Sequence, residues 1–138
     1  MYDRILRFLN DNDHFAKENG MVVTRLEEGA SEAVLTASER HFNGVGIIMG
    51  GALFTLTDFA FAAALNSFGF RAVGMNASTS FLKPGKGVPG VKFTARARLV
   101  SKTRRTAVFD VNVSDDANRL LTHSIMTGFI SETPLFDD

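Results

Sequence analysis

From Val45 to Phe68 the chain carries one ionisable side chain, Asp58, among Phe, Leu and Ala. This run, "VGIIMGGALFTLTDFAFAAALNSF", restricts the possible fold more than any other feature. It is long enough to cross a bilayer. Against that stand Gly50, Gly51, Thr55, Thr57, Asn66 and Ser67, the absence of a flanking basic cluster, and the alternating patterns that follow. A central Asp also costs about 2.5–3.5 kcal/mol on insertion scales. The better reading is a buried helix, apolar on every side, from about Gly50 to Ser67, with Gly69 near its C-cap.

Such a helix needs cover all round, and the rest of the chain must supply it. At 138 residues the chain suits one domain with a real core, spanning 1–138. Tyr2, Ile5, Leu6 and Leu9 predict a short amphipathic helix over 2–10. "GMVVTRLEEGASEAVLTA" reads as a hairpin turning at "EEGAS". After the long helix the period changes to two. "AVGMNASTSFL" is a strand ending before the turn region "KPGKGVPG". In "VKFTARARLV", Val91, Phe93, Ala95, Ala97 and Leu99 form a buried face, and Lys92, Thr94, Arg96 and Arg98 a wet one. "TAVFDVNVSD" and "RLLTHSIMTGFIS" complete the strands, and "ETPLFDD" is expected to fray. Short connections favour antiparallel neighbours. The expected class is therefore α+β, with an antiparallel sheet curved around the helix and a second subunit covering the remainder.

Balanced charge, 15 basic against 15 acidic residues, gives no pointer to nucleic acid or a membrane surface. The chain has no cysteine, which removes disulfides, thiolate metal sites and a thiol nucleophile. The N-terminus does not read as a signal peptide, so a cytoplasmic location is expected. There is no nucleophile-elbow, phosphate-loop or zinc-helix motif. His14, His41 and His123 lack metal-ligand spacing.

Asp58 is the residue that calls for chemistry. A buried unpaired carboxylate costs several kcal/mol, and its own helix offers only Thr55 and Thr57 as side-chain donors. It either points to solvent or caps a neighbour, or it is a carboxylate made more basic by apolar surroundings and suited to general-base work. Gly50 and Gly51 open the same helix. They mark either a tightly packed helix start or an oxyanion site, because the first amides lack partners and glycine admits a close approach. Eight residues of helix separate Gly50 from Asp58 by about 12 Å. If both act on one carbonyl, they must come from different subunits, and a two-fold dimer with antiparallel central helices would build two such sites.

"HFNGVGIIMGGALFTLTDFAFAAALNSFG", followed by "FLKPG", resembles the hotdog-fold acyl-CoA thioesterases of the phenylacetate-degradation type. That group reads N-x-x-G-x-x-H-G-G-x-x-x-x-L-x-D before a small-residue helix and a strand ending F-L-x-P. The resemblance covers roughly residues 20–131. It implies a hotdog fold, sites between subunits, and a homodimer, commonly paired into a homotetramer. It makes Asp58 the catalytic carboxylate, as general base or nucleophile, and Gly50 the amide that polarises the thioester carbonyl. Asn43 would help hold substrate or water. Ser78, counted back from Pro84, would position the water, with Asn76 on the same strand face. Met49 stands where the group has histidine; it cannot donate a hydrogen bond but can pack on an acyl group or sulfur.

The expected function is hydrolysis of aryl- or medium-chain acyl-CoA to free acid and coenzyme A, without metal or redox cofactor. Met49 and Gly51 are expected against the substrate. Phe54, Phe59, Phe61 and Phe81 either line an acyl pocket or pack the core. Lys83, Arg104 and Arg105 are assigned to the coenzyme A phosphates, although Arg96, Arg98, Lys102, Arg104 and Arg105 also read as a solvated face. Two alternatives stand. A non-catalytic acyl-CoA sensor is favoured by Met49. A hydratase or dehydratase is disfavoured because no histidine accompanies Asp58 on its helix.

Overall fold

The long apolar helix has no polar face to give to water, and the sheet curls around it. In the computed structural model, which describes residues 1–137, the elements run α1 (Tyr2–Asn12), α2 (His14–Glu18), β1 (Met21–Glu27), β2 (Ala30–Thr36), a 3₁₀ turn (Glu39–His41), α3 (Gly50–Asn66), β3 (Phe70–Phe81), β4 (Lys92–Lys102), β5 (Thr106–Ser114) and β6 (Leu120–Pro134). Among the described residues the strands form one six-stranded sheet in the order β1-β2-β4-β5-β6-β3. Every pairing is antiparallel. This is the hotdog arrangement that the resemblance implied. No described helix is long and apolar enough to cross a membrane.

α3 buries residues all round, including Leu53, Leu56, Phe59, Ala60, Phe61, Ala63, Ala64 and Leu65. Each large side chain so buried stabilises the fold by about 1.5–3 kcal/mol. The predicted faces of β4 are observed: Phe93, Ala95 and Ala97 are buried while Lys92, Arg96 and Arg98 are exposed. One inner row crosses the sheet as Ser31, Ala97, Val111, Ser124 and Thr79. The Ser31 hydroxyl in that row donates to the Ala60 carbonyl of α3, fixing which face meets the helix. The next row, Ala30, Arg98, Asp110, Ile125 and Ser78, therefore lies on the outer face.

α1 packs Ile5 and Leu9 into the core and extends past its predicted end. The one-turn helix α2 was not foreseen, being too short for a periodicity test. The tail corrects another expectation. Rather than fraying, β6 continues to Pro134, and the Leu135 amide donates to the Gly69 carbonyl at 2.9 Å. Phe136 then meets Phe8 edge-on at 5.4 Å between centroids, with Arg4 4.0 Å above its ring.

Among the described residues β3 lies at the sheet edge, paired only with β6. It exposes Val73, Met75 and Phe81. Between Gly74 and Asn76 its register slips by one residue, so Met75 is a bulge.

Candidate active site

Asp58 opens into a cavity of about 400 Å³ between α2 and α3. Phe15, Ala16, Phe54, Phe59 and Ala62 supply apolar wall. Neither threonine on the helix serves the carboxylate. Thr55 Oγ1 donates to the Gly51 carbonyl at 2.8 Å, and Thr57 Oγ1 to the Leu53 carbonyl at 3.0 Å. Among the described residues no group donates to Asp58. Burial raises its pKa above the ordinary carboxylate value. Asp58 is nevertheless exposed in the single chain, standing at the cavity rim, so substrate can reach it while the apolar wall beside it disfavours the charged form.

The helix start supplies the other half of the chemistry. The Met49 carbonyl accepts from the amides of Ala52 at 3.0 Å and Leu53 at 3.3 Å. The amides of Gly50 and Gly51 have no acceptor among the described residues, as expected for the first turn of a helix. The Gly50 backbone passes the Phe81 ring so closely that an added Cβ would lie 3.2 Å from it. Met49 is exposed, and its Sδ–Cε end reaches over Gly51.

The loop before α3 is held by its own polar groups. Asn43 Oδ1 accepts from the amides of Val45 at 3.1 Å and Ile47 at 3.2 Å, so its carbonyl oxygen shapes the loop. His41 is buried: Nδ1 accepts from the Ser38 amide at 3.0 Å and Nε2 donates to the Asn19 carbonyl at 2.8 Å. It ties the loop to the end of α2, and the Met49 amide donates back to the His41 carbonyl at 2.8 Å.

Other expected site residues are not brought to Asp58 within one chain. Ser78 and Asn76 pair with Ile125 and Thr127 on the outer face, away from α3. The bulge at Met75 is the reason. Ala72 and Gly74 pair with the buried Ile130 and Gly128, and an unbroken alternation would carry Asn76 and Ser78 inward with them. Lys83 lies in the loop after β3, where its amide meets the Leu121 carbonyl at 3.3 Å; two residues on, Gly85 accepts from the Ile48 amide beside the start of α3. Arg104 and Arg105 are at the other end of that helix, with Phe68 and Phe70, and both are paired to Glu132. Lys83 and the two arginines of one chain therefore do not converge.

Two groups that sequence reasoning missed, Asp13 and His14, enter the Asp58 cavity from α2. His14 supplies from another element the imidazole that the helix lacks. Larger hollows lie elsewhere, about 590 Å³ beside Glu32 and Arg96 and about 680 Å³ beside Glu132. Glu32 and Glu132 there are already matched by arginines and Asp110 by His123, whereas among the described residues Asp13 and Asp58 have no such match.

The thioesterase superfamily profile matches residues 45–122, more than half of the chain and including both Gly50 and Asp58. The acyl-coenzyme A thioesterase PaaI of Escherichia coli K12 is 35% identical over 103 residues, covering 75% of this chain and 72% of that protein. The solved E. coli PaaI protein from the phenylacetic acid degradation operon superposes with a TM-score of 0.90 at 27% identity, covering 96% of this chain and 95% of that one. A Streptococcus mutans UA159 protein solved with acetyl CoA bound gives a TM-score of 0.76 at 27% identity, over 83% of this chain and 90% of that one. The chain belongs to the thioesterase superfamily as a PaaI-type hotdog protein, and it is a thioester hydrolase.

Proposed function

We propose that the chain hydrolyses aryl- or medium-chain acyl-CoA thioesters to the free acid and coenzyme A. The observation that carries this reading is the unpartnered carboxylate of Asp58, raised in pKa by burial, beside an aromatic-walled cavity. Asp58 takes a proton from water as the water oxygen attacks the thioester carbonyl. The Gly50 amide, free of any acceptor among the described residues, donates to the developing oxyanion. Collapse expels the thiolate of coenzyme A and leaves the acid. Direct attack by Asp58 would give a mixed anhydride before hydrolysis.

Gly50 and Asp58 open and centre the same helix, about 12 Å apart. In this reading each site therefore takes Asp58 from one subunit and Gly50 from its partner, within a homodimer or a tetramer of two dimers. Asn43 acts by shaping the loop that presents the Gly50 amide. Met49 and Gly51 lie against the pantetheine or acyl portion. Lys83 is the stronger partner for the coenzyme A phosphates, because Arg104 and Arg105 must first release Glu132. Ser78 and Asn76, which face away from Asp58 of their own chain, would take part only from the partner subunit.

Purified protein incubated with aryl- and fatty acyl-CoAs, with thiol release followed by a thiol reagent, tests the proposal. Wild type should release thiol, and Asp58→Asn should lose on the order of 100-fold or more in kcat/KM. Full activity in Asp58→Asn would refute the assigned base. Binding without release across the panel would make Met49 the mark of a sensor. His14 in the Asp58 cavity gives reason to include an enoyl-CoA, whose consumption without thiol release would indicate hydration.

A further inference from the structure

Asp13 stands at the N-cap of α2, where an aspartate usually accepts from a helix amide. Its side chain makes no such bond. Among the described residues its carboxylate has no hydrogen-bond or ion-pair partner, although it is partly buried. It instead lines the same cavity of about 400 Å³ as Asp58, which is equally without a donor. Two elements distant in sequence thus bring two unspent carboxylates together between Phe15, Phe54 and Phe59. α1, β1 and α3 pack against α2, and of these only α3 sends a charged group, Asp58, into the cavity. His14, next to Asp13, is the remaining titratable lining group.

Resting on the proposed role of Asp58, we propose that Asp13 is a positioning residue of this hydrolase, its negative charge across the cavity making Asp58 a stronger base towards water. The pKa directions of the two carboxyls agree with their sharing one cavity: burial alone raises Asp58, while Asp13 is raised by burial first and by the Asp58 charge second, with His14 acting in the opposite direction. That repulsion belongs to the pair, since two carboxylates sharing a cavity release their protons in two coupled steps. Removing either charge makes the other group easier to ionise and less basic.

The test compares pH profiles of kcat/KM for wild type, Asp13→Asn and Asp58→Asn on one hydrolysed acyl-CoA, together with carbon-13 NMR titration of the aspartate carboxyls. The acid limb in Asp13→Asn should move down by about half a pH unit to one unit, with the plateau falling roughly threefold to tenfold. The Asp58 carboxyl should shift the same way by NMR, and Asp13→Glu should restore part of both effects. An acid limb and an Asp58 titration unmoved in Asp13→Asn would overturn the inference, including where activity falls uniformly at all pH values. Full activity in Asp58→Asn would instead overturn the catalytic reading, while the NMR titration still decides whether the two carboxylates are coupled.

Discussion

At the scale of single residues, a good base is a poor structural element. Asp58 is held in a setting that favours its neutral form and, among the described residues, offers it no donor. Its folded pKa is raised above the unfolded value, which lies near 3.9. Any stabilisation from this group is therefore fully present below that unfolded value and is lost as pH rises through the folded one. At neutral pH the folded chain carries the cost of an ionised carboxylate. Asp58→Asn, isosteric and uncharged, should melt slightly higher than wild type at pH 7, and the gap should shrink towards pH 4. The cavity mouth is open to solvent, so the gain will be modest. Calorimetric melts across that range check it, and a lower melting temperature in Asp58→Asn at pH 7 would show that the carboxylate has a stabilising partner. His41 makes the contrast. It is buried with both ring nitrogens bonded, so His41→Ala should destabilise by about 2–4 kcal/mol, read from urea unfolding.

At the scale of elements, the reacting amide is only as well placed as the loop leading to it. That loop is clamped from the far side: Ile47 bridges to Lys86, and an added Cβ on Gly87 would lie 2.0 Å from the Gly46 carbonyl oxygen. This obstacle is backbone, which cannot turn aside as a side-chain tip can. Gly87→Ala should cost about 1–3 kcal/mol in urea unfolding and lower kcat/KM, while leaving the Asp58 acid limb in place because the loop does not line the Asp58 cavity. A shifted limb would mean that the loop also tunes the carboxylate. Regular elements were readable from the sequence because their period is local. α3 declared itself by being apolar on every side, and β4 by strict alternation. β3 was readable as a strand but not in its facing, since one bulged residue, Met75, reverses the alternation for Asn76 and Ser78. Asp13 and His14 carried no signal at all. They lie on a helix of five residues, and only the tertiary packing of α2 on α3 brings them to Asp58.

At the scale of the whole molecule, the sheet of the described residues ends on an open apolar edge. β3 leaves its outer edge unpaired and exposes Val73, Met75 and Phe81 along it. A long apolar edge of this kind invites another strand. A second copy pairing there antiparallel would continue the sheet and bring two α3 helices side by side, which is the arrangement that the proposed composite site calls for. Complementation tests this directly. Asp58→Asn removes the base and keeps the amide; Gly50→Val crowds the amide, which already passes close to Phe81, and keeps the base. Each variant alone should be nearly inactive. When the two are unfolded together and refolded as an equal mixture, about half of the dimers should be mixed, each with one site built from two intact halves. Because the second site of a mixed dimer carries both lesions, the mixture should recover about a quarter of wild-type activity. Inactive mixtures, in which mass spectrometry shows mixed dimers to be present, would place both groups in one chain and overturn the composite site. A protein active as a strict monomer in sedimentation would do the same.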